Sequence, residues 1–297
     1  LAVDSTSIYW TTHESDTEPS ALMKMGLDGG APVTLATTQS SLQKLAINST
    51  FAYCTSVGRN GGGGGGLLRA PLSGGTFSTL NAMGENEQGV AASSESVVWA
   101  TWSGSCCGGS LLSIPADGGT TVTLASPSAA PVWVAFAPAG AYWVSQALSS
   151  NTGEHVPGIL GYAPLDGGAP TTIATNGDGI GLAVGPATAS LAGVYWIQDG
   201  NVMGLPLGGG APVTVVGAHN ASPPVAADGE TVYWTDSFSN VLSSPLAGGA
   251  IVTLASPGAV IWNLVVDETS VYWTTLWPNC AAPNTNGLGT VMKITPK

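Results

Sequence analysis

Three histidines, His13, His155 and His219, are the side chains of this sequence best suited to acid–base or metal chemistry. His13 is followed by Glu14, Asp16 and Glu18, and His155 directly follows Glu154. A divalent metal needs three or four such nitrogen and oxygen ligands within a few ångströms of one another. His13, Glu14, Asp16 and His155 therefore form the candidate metal set, although no pattern designates any one residue as catalytic. Trp102 and Trp277 lie among Ser, Gly, Asn and Pro, where an exposed indole stacks on sugars or anchors a protein partner. Together with the three histidines they are the candidate ligand-binding residues.

Other chemistries find little support. The glycine run Asn60–Gly66 lacks the Lys-Ser/Thr and following helix of a phosphate loop and runs straight into Leu67-Leu68, so it reads as a hairpin loop. There is no G-x-S-x-G nucleophile elbow. The stretch Asn176–Gly179 offers one carboxylate, too few for calcium. Cys54, Cys106, Cys107 and Cys280 follow neither zinc nor C-x-x-C spacing. They are disulfide candidates for an oxidising compartment, either as a vicinal Cys106-Cys107 bridge pinning its own loop or paired with Cys54 and Cys280. No cofactor is predicted, and a divalent metal is the single one the residues leave open.

The elements that must position these residues are strands. The 297-residue chain holds 42 Gly and 20 Pro, with 44% apolar and only 8% charged residues, a composition of short strands and tight turns. Its formal net charge of −12, from 18 acidic and 6 basic residues, disfavours nucleic acid and anionic membranes as partners. The longest apolar stretch, residues 128–144, is broken by Pro131, Pro138 and Gly140 and is too short to span a membrane. The acidic, lysine-poor composition is that of an extracellular, periplasmic or cell-surface protein. The chain starts at Leu1 without Met or a signal peptide, which suggests a processed or trimmed N-terminus.

One aromatic pair recurs along the chain, as Tyr9-Trp10, Tyr142-Trp143, Tyr195-Trp196, Tyr233-Trp234 and Tyr272-Trp273, with Val98-Trp99 and Tyr53-Cys54 as variants. The Trp slots are 44, 45, 44, 53, 38 and 39 residues apart. Each unit reads as an apolar strand ending at a small or polar residue, the aromatic strand, a third strand, a Gly-Gly turn and a fourth strand. Four short strands per 40–45 residues is the pattern of a β-propeller blade. The expected fold is all-β: one seven-bladed propeller of four-stranded antiparallel blades, spanning about 1–38, 39–82, 83–126, 127–176, 177–217, 218–256 and 257–297. Blades that cover one another would bury both faces of the aromatic strand. The fourth strand has only six copies, so the last blade is either three-stranded or closed by an N-terminal strand missing from the sequence.

The repeat resembles the YWTD repeats of the low-density-lipoprotein-receptor family, with VYWTD ending at Asp236; the other units read YWTT, YCTS, VWAT, YWVS and YWIQ. Those receptor propellers have six blades against the seven units here. The chain also resembles bacterial seven-bladed propellers that include antibiotic-inactivating lyases. What matches in both is the frame, and neither resemblance assigns a functional residue.

Length variation points to a working surface. From the Trp slot to the Gly-Gly turn the spacing is 19, 20, 19, 24, 13 and 14 residues, whereas the other segments are nearly constant. The variable loop joins the second and third strands, and variable loops on a rigid scaffold usually carry function. The leading expectation is a secreted or cell-surface binding module, monomeric, taking a protein, glycan or small ligand on the long-loop face. A metal-assisted lyase or hydrolase with its site at the channel mouth on that face is the second reading, and a purely structural extracellular module the third. Trp262 is expected to cap the apolar end of its own blade.

Overall fold

The computed structural model describes residues 1–297 except 14–18, 59–64, 83–85, 103–107, 128, 138, 146–147, 150–154, 157, 177–179, 186–192, 208, 218–219 and 277–288. The chain divides into two compact units, Leu1–Gly177 and Asp178–Lys297. The first holds four four-stranded antiparallel sheets, and the second holds two more and a final three-stranded sheet. Strand order within each sheet follows chain order. The fold is thus that of a seven-bladed β-propeller with six four-stranded blades and a three-stranded last blade, blades one to four in the first unit and five to seven in the second. No helix among the described residues is long and apolar enough to cross a membrane.

Adjacent residues of a strand face opposite sides of the sheet, and the paired aromatics use both. In the first unit, Tyr9 of blade one and Cys54 of blade two share one buried cluster. Tyr53 of blade two shares the next with Trp99 of blade three, and Val98 of blade three shares the next with Trp143 of blade four. Within the second unit Tyr195 packs in the same cluster as Trp234, and Tyr233 in the same cluster as Trp273. Within each unit, the layers between consecutive blades are therefore built from the Tyr slot of one blade and the Trp slot of the next. The aromatic pair is a packing device, as its both-sided burial required.

The tyrosine has a second task at its hydroxyl. Asp4, where the first strand of blade one ends, accepts the backbone N–H groups of Thr6 and Ser7 at 2.7 and 2.8 Å and the Tyr9 hydroxyl at 2.8 Å. Asp228 with Tyr233 and Asp267 with Tyr272 repeat the arrangement at 2.9 and 2.7 Å. Such an Asx turn closes the hairpin between the first two strands. In blade two Asn48 takes the same place, accepting from Thr50 and Phe51 while its Nδ2 donates to the Tyr53 hydroxyl and to the Ser93 carbonyl of blade three.

The remaining letters of YWTD also have structural duties. Thr235 donates to the carbonyls of Ser222 and Pro223 in the first strand of its blade. Asp236 caps the short hairpin that follows, accepting the N–H groups of Phe238 and Asn240, both at 2.9 Å. The motif is a frame in all four positions.

Candidate functional site

In each unit, hydrogen bonds sort the connections between strands onto two ends of the blades. The first–second turn bonds the third–fourth turn of its own blade, as Leu27 N to Thr6 O and Leu246 N to Glu230 O show. At the other end, the second–third loops meet the connections between blades. In the first unit His13 Nδ1 lies 3.4 Å from Ser41 Oγ, where blade two begins. In the second, Ala221 donates to Gly200 O and Ser237 to Asn220 O, at 3.0 and 3.2 Å. Within each unit, the described parts of the second–third loops and the inter-blade connections thus share an end.

The strand nearest that end is irregular in a repeated way. The first strands of blades two, four, five, six and seven each shift register against the second strand, between Leu42 and Leu45, Pro131 and Trp133, Ile180 and Leu182, Ser222 and Val225, and Ile261 and Asn263. In blade three a corresponding shift occurs opposite Trp99–Thr101. A bulge inserts residues that the ladder does not pair and re-aims their side chains. The bulge of blade two is held by a relay: Lys44 N donates to Thr55 Oγ1 at 3.1 Å, and the Thr55 hydroxyl donates to the Gln88 carbonyl of blade three at 2.8 Å.

These bulges gather the most chemically distinctive described side chains of the first unit. The Lys44 ammonium lies 4.2 Å from the centroid of the Trp133 ring, which comes from the bulged strand of blade four. That reach across blade three needs Gly89, where an added Cβ would sit 2.7 Å from Val132 O and 3.0 Å from Trp133 Cα. Burial holds the Lys44 amine below the usual lysine range. Beside it, Gln43 Nε2 donates to Ser41 Oγ at 3.3 Å, and Ser41 is the hydroxyl that meets His13. An ammonium on an indole face, with amide, hydroxyl and imidazole groups next to it, is equipped to hold a polar ligand by stacking and hydrogen bonding.

The candidates drawn from sequence fall out unevenly. His13 is exposed, and its described neighbour is Ser41. Trp102 is half-buried at the end of the second strand of blade three, opposite Gly109 and Asn86. The backbone of His155 pairs with Ser149 in a small hairpin, Leu148–Ser149 with His155–Val156, inside what the sequence suggested was a plain loop. Glu14, Asp16, His219, Trp277, Cys106, Cys107 and Cys280 lie outside the described residues. Among the described residues, no three His, Cys, Asp or Glu side chains gather closely enough to hold a metal ion.

Two readings need correction. Cys54, counted among the disulfide candidates, is a free and fully buried thiol filling the slot that Trp occupies elsewhere. Burial pushes its thiol up to about 12. Trp262, expected to cap its blade, is 51% exposed because it sits in the bulge between Ile261 and Asn263. Phe238, at the tip of the short hairpin of blade six, is exposed as well.

Sequence reasoning missed the Lys44–Trp133 contact, since neither residue stands in a motif. One signal was available: Gly89, Gly181 and Pro223-Pro224 interrupt first strands, and Gly or Pro inside a strand marks a bulge.

No protein-family model matches the sequence, and no curated protein matches it. Solved structures do resemble it. A chain of a nidogen/laminin complex aligns at 16% identity and a TM-score of 0.57, over 84% of this chain and 93% of that one. The β-propeller domain of the Trilobed protease from Pyrococcus furiosus, which has an open velcro topology, aligns at 8% identity and a TM-score of 0.68, covering 98% and 92%. An oligogalacturonate lyase in complex with manganese aligns at 10% identity and a TM-score of 0.65, covering 98% and 86%. The shared class is the β-propeller. At these identities the likeness is one of fold, and the YWTD relationship stays a resemblance carried by the residues themselves.

Proposed function

We propose that this chain is a binding module, acting outside the cell, in the periplasm or at the cell surface. Its working surface is the end of the blades that carries the second–third loops and the inter-blade connections. The observation that carries this reading is the placement of Lys44 against Trp133 at two bulged first strands, beside Gln43, Ser41 and His13. A bulge repeated in blade after blade costs ladder hydrogen bonds, and here it brings a cation, an indole and amide groups to one end of a rigid scaffold. The ligand class this set fits best is a glycan or a small polar molecule, with the indole offering a stacking face and Lys44 favouring an acidic group.

The test is a glycan array with neutral and uronic-acid glycans, followed by calorimetric titration of any hit. Trp133→Ala and Lys44→Met should each weaken binding at least about tenfold, roughly 1.4 kcal/mol, while thermal unfolding shows both variants folded. Binding unchanged in both would overturn the assignment of this surface.

A further inference from the structure

Phe238 and Trp262 are the two exposed aromatic side chains among the described residues, at 73% and 51%. Both fall in the second unit, at the end of the blades that carries the second–third loops. Phe238 lies in the turn that joins Thr231–Asp236 to Val241–Pro245 in blade six. Trp262 lies in the first strand of blade seven, which starts at Val260, opposite Leu276 at the end of the second strand. Single exposed apolar residues need no explanation, but two aromatics confined to one end of one unit do.

The turn of blade six holds its phenyl ring outward. Asp236 accepts from Phe238 N and from Asn240 N, both at 2.9 Å, and from Asn240 Nδ2 at 2.8 Å, and its carbonyl accepts Ser239 N at 3.0 Å. Ser239 has a φ of 63°, Asp199 of 51° and Asn220 of 49°, and among the described residues these are the three non-glycine residues with positive φ. They are tied together, since Ala221 N donates to Gly200 O and Ser237 N to Asn220 O. Backbone in this sparsely populated region gathers where a site is held in shape.

The bulged first strands of this unit also differ in chemistry from those of the first. In blades two and three the unpaired residues are Gln43-Lys44 and Gln88-Gly89. In blades five, six and seven they are Gly181, Pro223-Pro224 and Trp262. A Cβ on Gly181 would meet Pro223 Cβ at 3.3 Å, so the two strands pass close together. The lysines of the unit lie elsewhere, Lys293 over Tyr272 and Lys297 on Asp228. The described charged groups in the hairpins of blades five and six are Asp199 and Asp236, and Asp199 and Asn220 are exposed.

We propose that this end of the second unit is a further binding site, for a neutral glycan of β-linked pyranose rings. A pyranose whose hydroxyls are all equatorial presents only C–H groups on its faces. Those faces stack on Phe238 and Trp262, while the hydroxyls at the ring edge donate to the Asp199 carboxylate and the Asn220 amide oxygen. Two aromatics on successive blades suit a chain of rings. An acidic glycan is disfavoured, because its carboxylates meet aspartates and no described lysine or arginine. A protein partner calls for a continuous apolar core, whereas Phe238 stands between serines with Asp236 and Asn240 beyond them. The site is independent of the Lys44–Trp133 reading, which concerns other residues and a ligand with an acidic group.

Calorimetric titration of the whole chain with cellotetraose and with tetragalacturonate separates the two. Cellotetraose is expected to bind, and Trp262→Ala and Phe238→Ala should each weaken it at least about tenfold. Trp262→Phe should keep most of the affinity, and all three variants should keep the thermal midpoint, because both side chains are exposed. Lys44→Met and Trp133→Ala should leave cellotetraose binding unchanged. Absence of cellotetraose binding at millimolar concentration, undiminished binding by Trp262→Ala, or its loss in Trp133→Ala overturns the proposal. Tetragalacturonate binding that depends on Lys44, with no binding of cellotetraose, overturns this proposal while leaving the first-unit reading in place.

Discussion

Replacing Asp228 with asparagine separates the two roles that the aspartate plays at the end of its strand. Its carboxylate closes the turn, accepting from Glu230 N, Thr231 N and the Tyr233 hydroxyl at 2.9, 2.8 and 2.9 Å. It also pairs with Lys297 at 2.7 Å, and Lys297 Nζ in addition donates to the Asp267 carbonyl of blade seven. Asn48 shows that an amide can close the same turn, because its Oδ1 still accepts two backbone N–H groups. Asp228→Asn should therefore keep the turn and lose the ion pair. A hydrogen bond to a charged group contributes about 1.5–3 kcal/mol. The Asp228 and Lys297 side chains retain 22% and 12% of their exposure, so the pair falls toward the low end, about 1–2 kcal/mol. Asp4 closes the equivalent turn of blade one with no lysine contact among its described hydrogen bonds, and Asp4→Asn should cost only about 0.5 kcal/mol. Urea unfolding at pH 7 measures both variants, with Lys297→Met and the Asp228→Asn/Lys297→Met double variant completing a cycle. The double variant should cost little more than Lys297→Met alone, because that variant already removes the ion pair along with the hydrogen bond to the Asp267 carbonyl. The reasoning is refuted if Asp228→Asn destabilises no more than Asp4→Asn, or if the two single costs simply add.

The same turns predict acid sensitivity. For Asp4, Asp228 and Asp267 burial acts to raise the carboxyl pKa but is outweighed by hydrogen bonds to the anion, leaving all three below the usual value. A folded pKa below the unfolded value of about 3.9 stabilises the fold above that pH, and the contribution is lost as pH falls through the folded values. The urea midpoint should hold steady from neutral pH to about pH 5 and decline below about pH 4, less so in a triple Asn variant; an equally steep loss in that variant would count against these turns as the cause. Gly161→Ala places a Cβ 2.1 Å from Cζ2 of Trp143, so it should cost about 1–3 kcal/mol through overpacking and shift tryptophan emission to the red; an unchanged spectrum would show that the indole has other room. Cys54, buried and weakly acidic, should resist thiol reagents in the native protein and react only in denaturant, as read by mass-spectrometric mapping of the modified cysteine. Rapid native modification at Cys54 would contradict its burial.

Much of the frame could be read from residue types alone, for reasons that reduce to period and turn chemistry. Tyr233-Trp234 announces a strand covered on both faces, and the structure gives each aromatic its own layer. The Gly-Gly turns are legible because tight hairpins need positive φ, which Gly248 at 88° and Gly249 at 159° supply. The role of Asp228 was half visible: a polar residue ends the strand, but nothing local says that Tyr233 and Lys297 will converge on it. The candidate site was harder still. His13, Trp102 and their companions were chosen for residue type and loop position, and among the described contacts His13 meets only a serine.

What the sequence determined by itself is the repeat: seven blade units, the strands within each, and the loops in which length varies. Those properties rest on local period and turn preference, which a stretch of chain carries with it. The tertiary structure decided which residues from different blades meet. Lys44 and Trp133 are 89 positions apart and belong to strands that do not pair, and they touch because bulges re-aim both side chains while Gly89 lets the strand between them pass close. The open edge of blade seven was countable in the sequence as a missing fourth strand. That each of the six complete blades sets a threonine of its fourth strand against the residue opposite the Trp slot emerged only from the register of those sheets, because register is a relation between strands that no single strand contains.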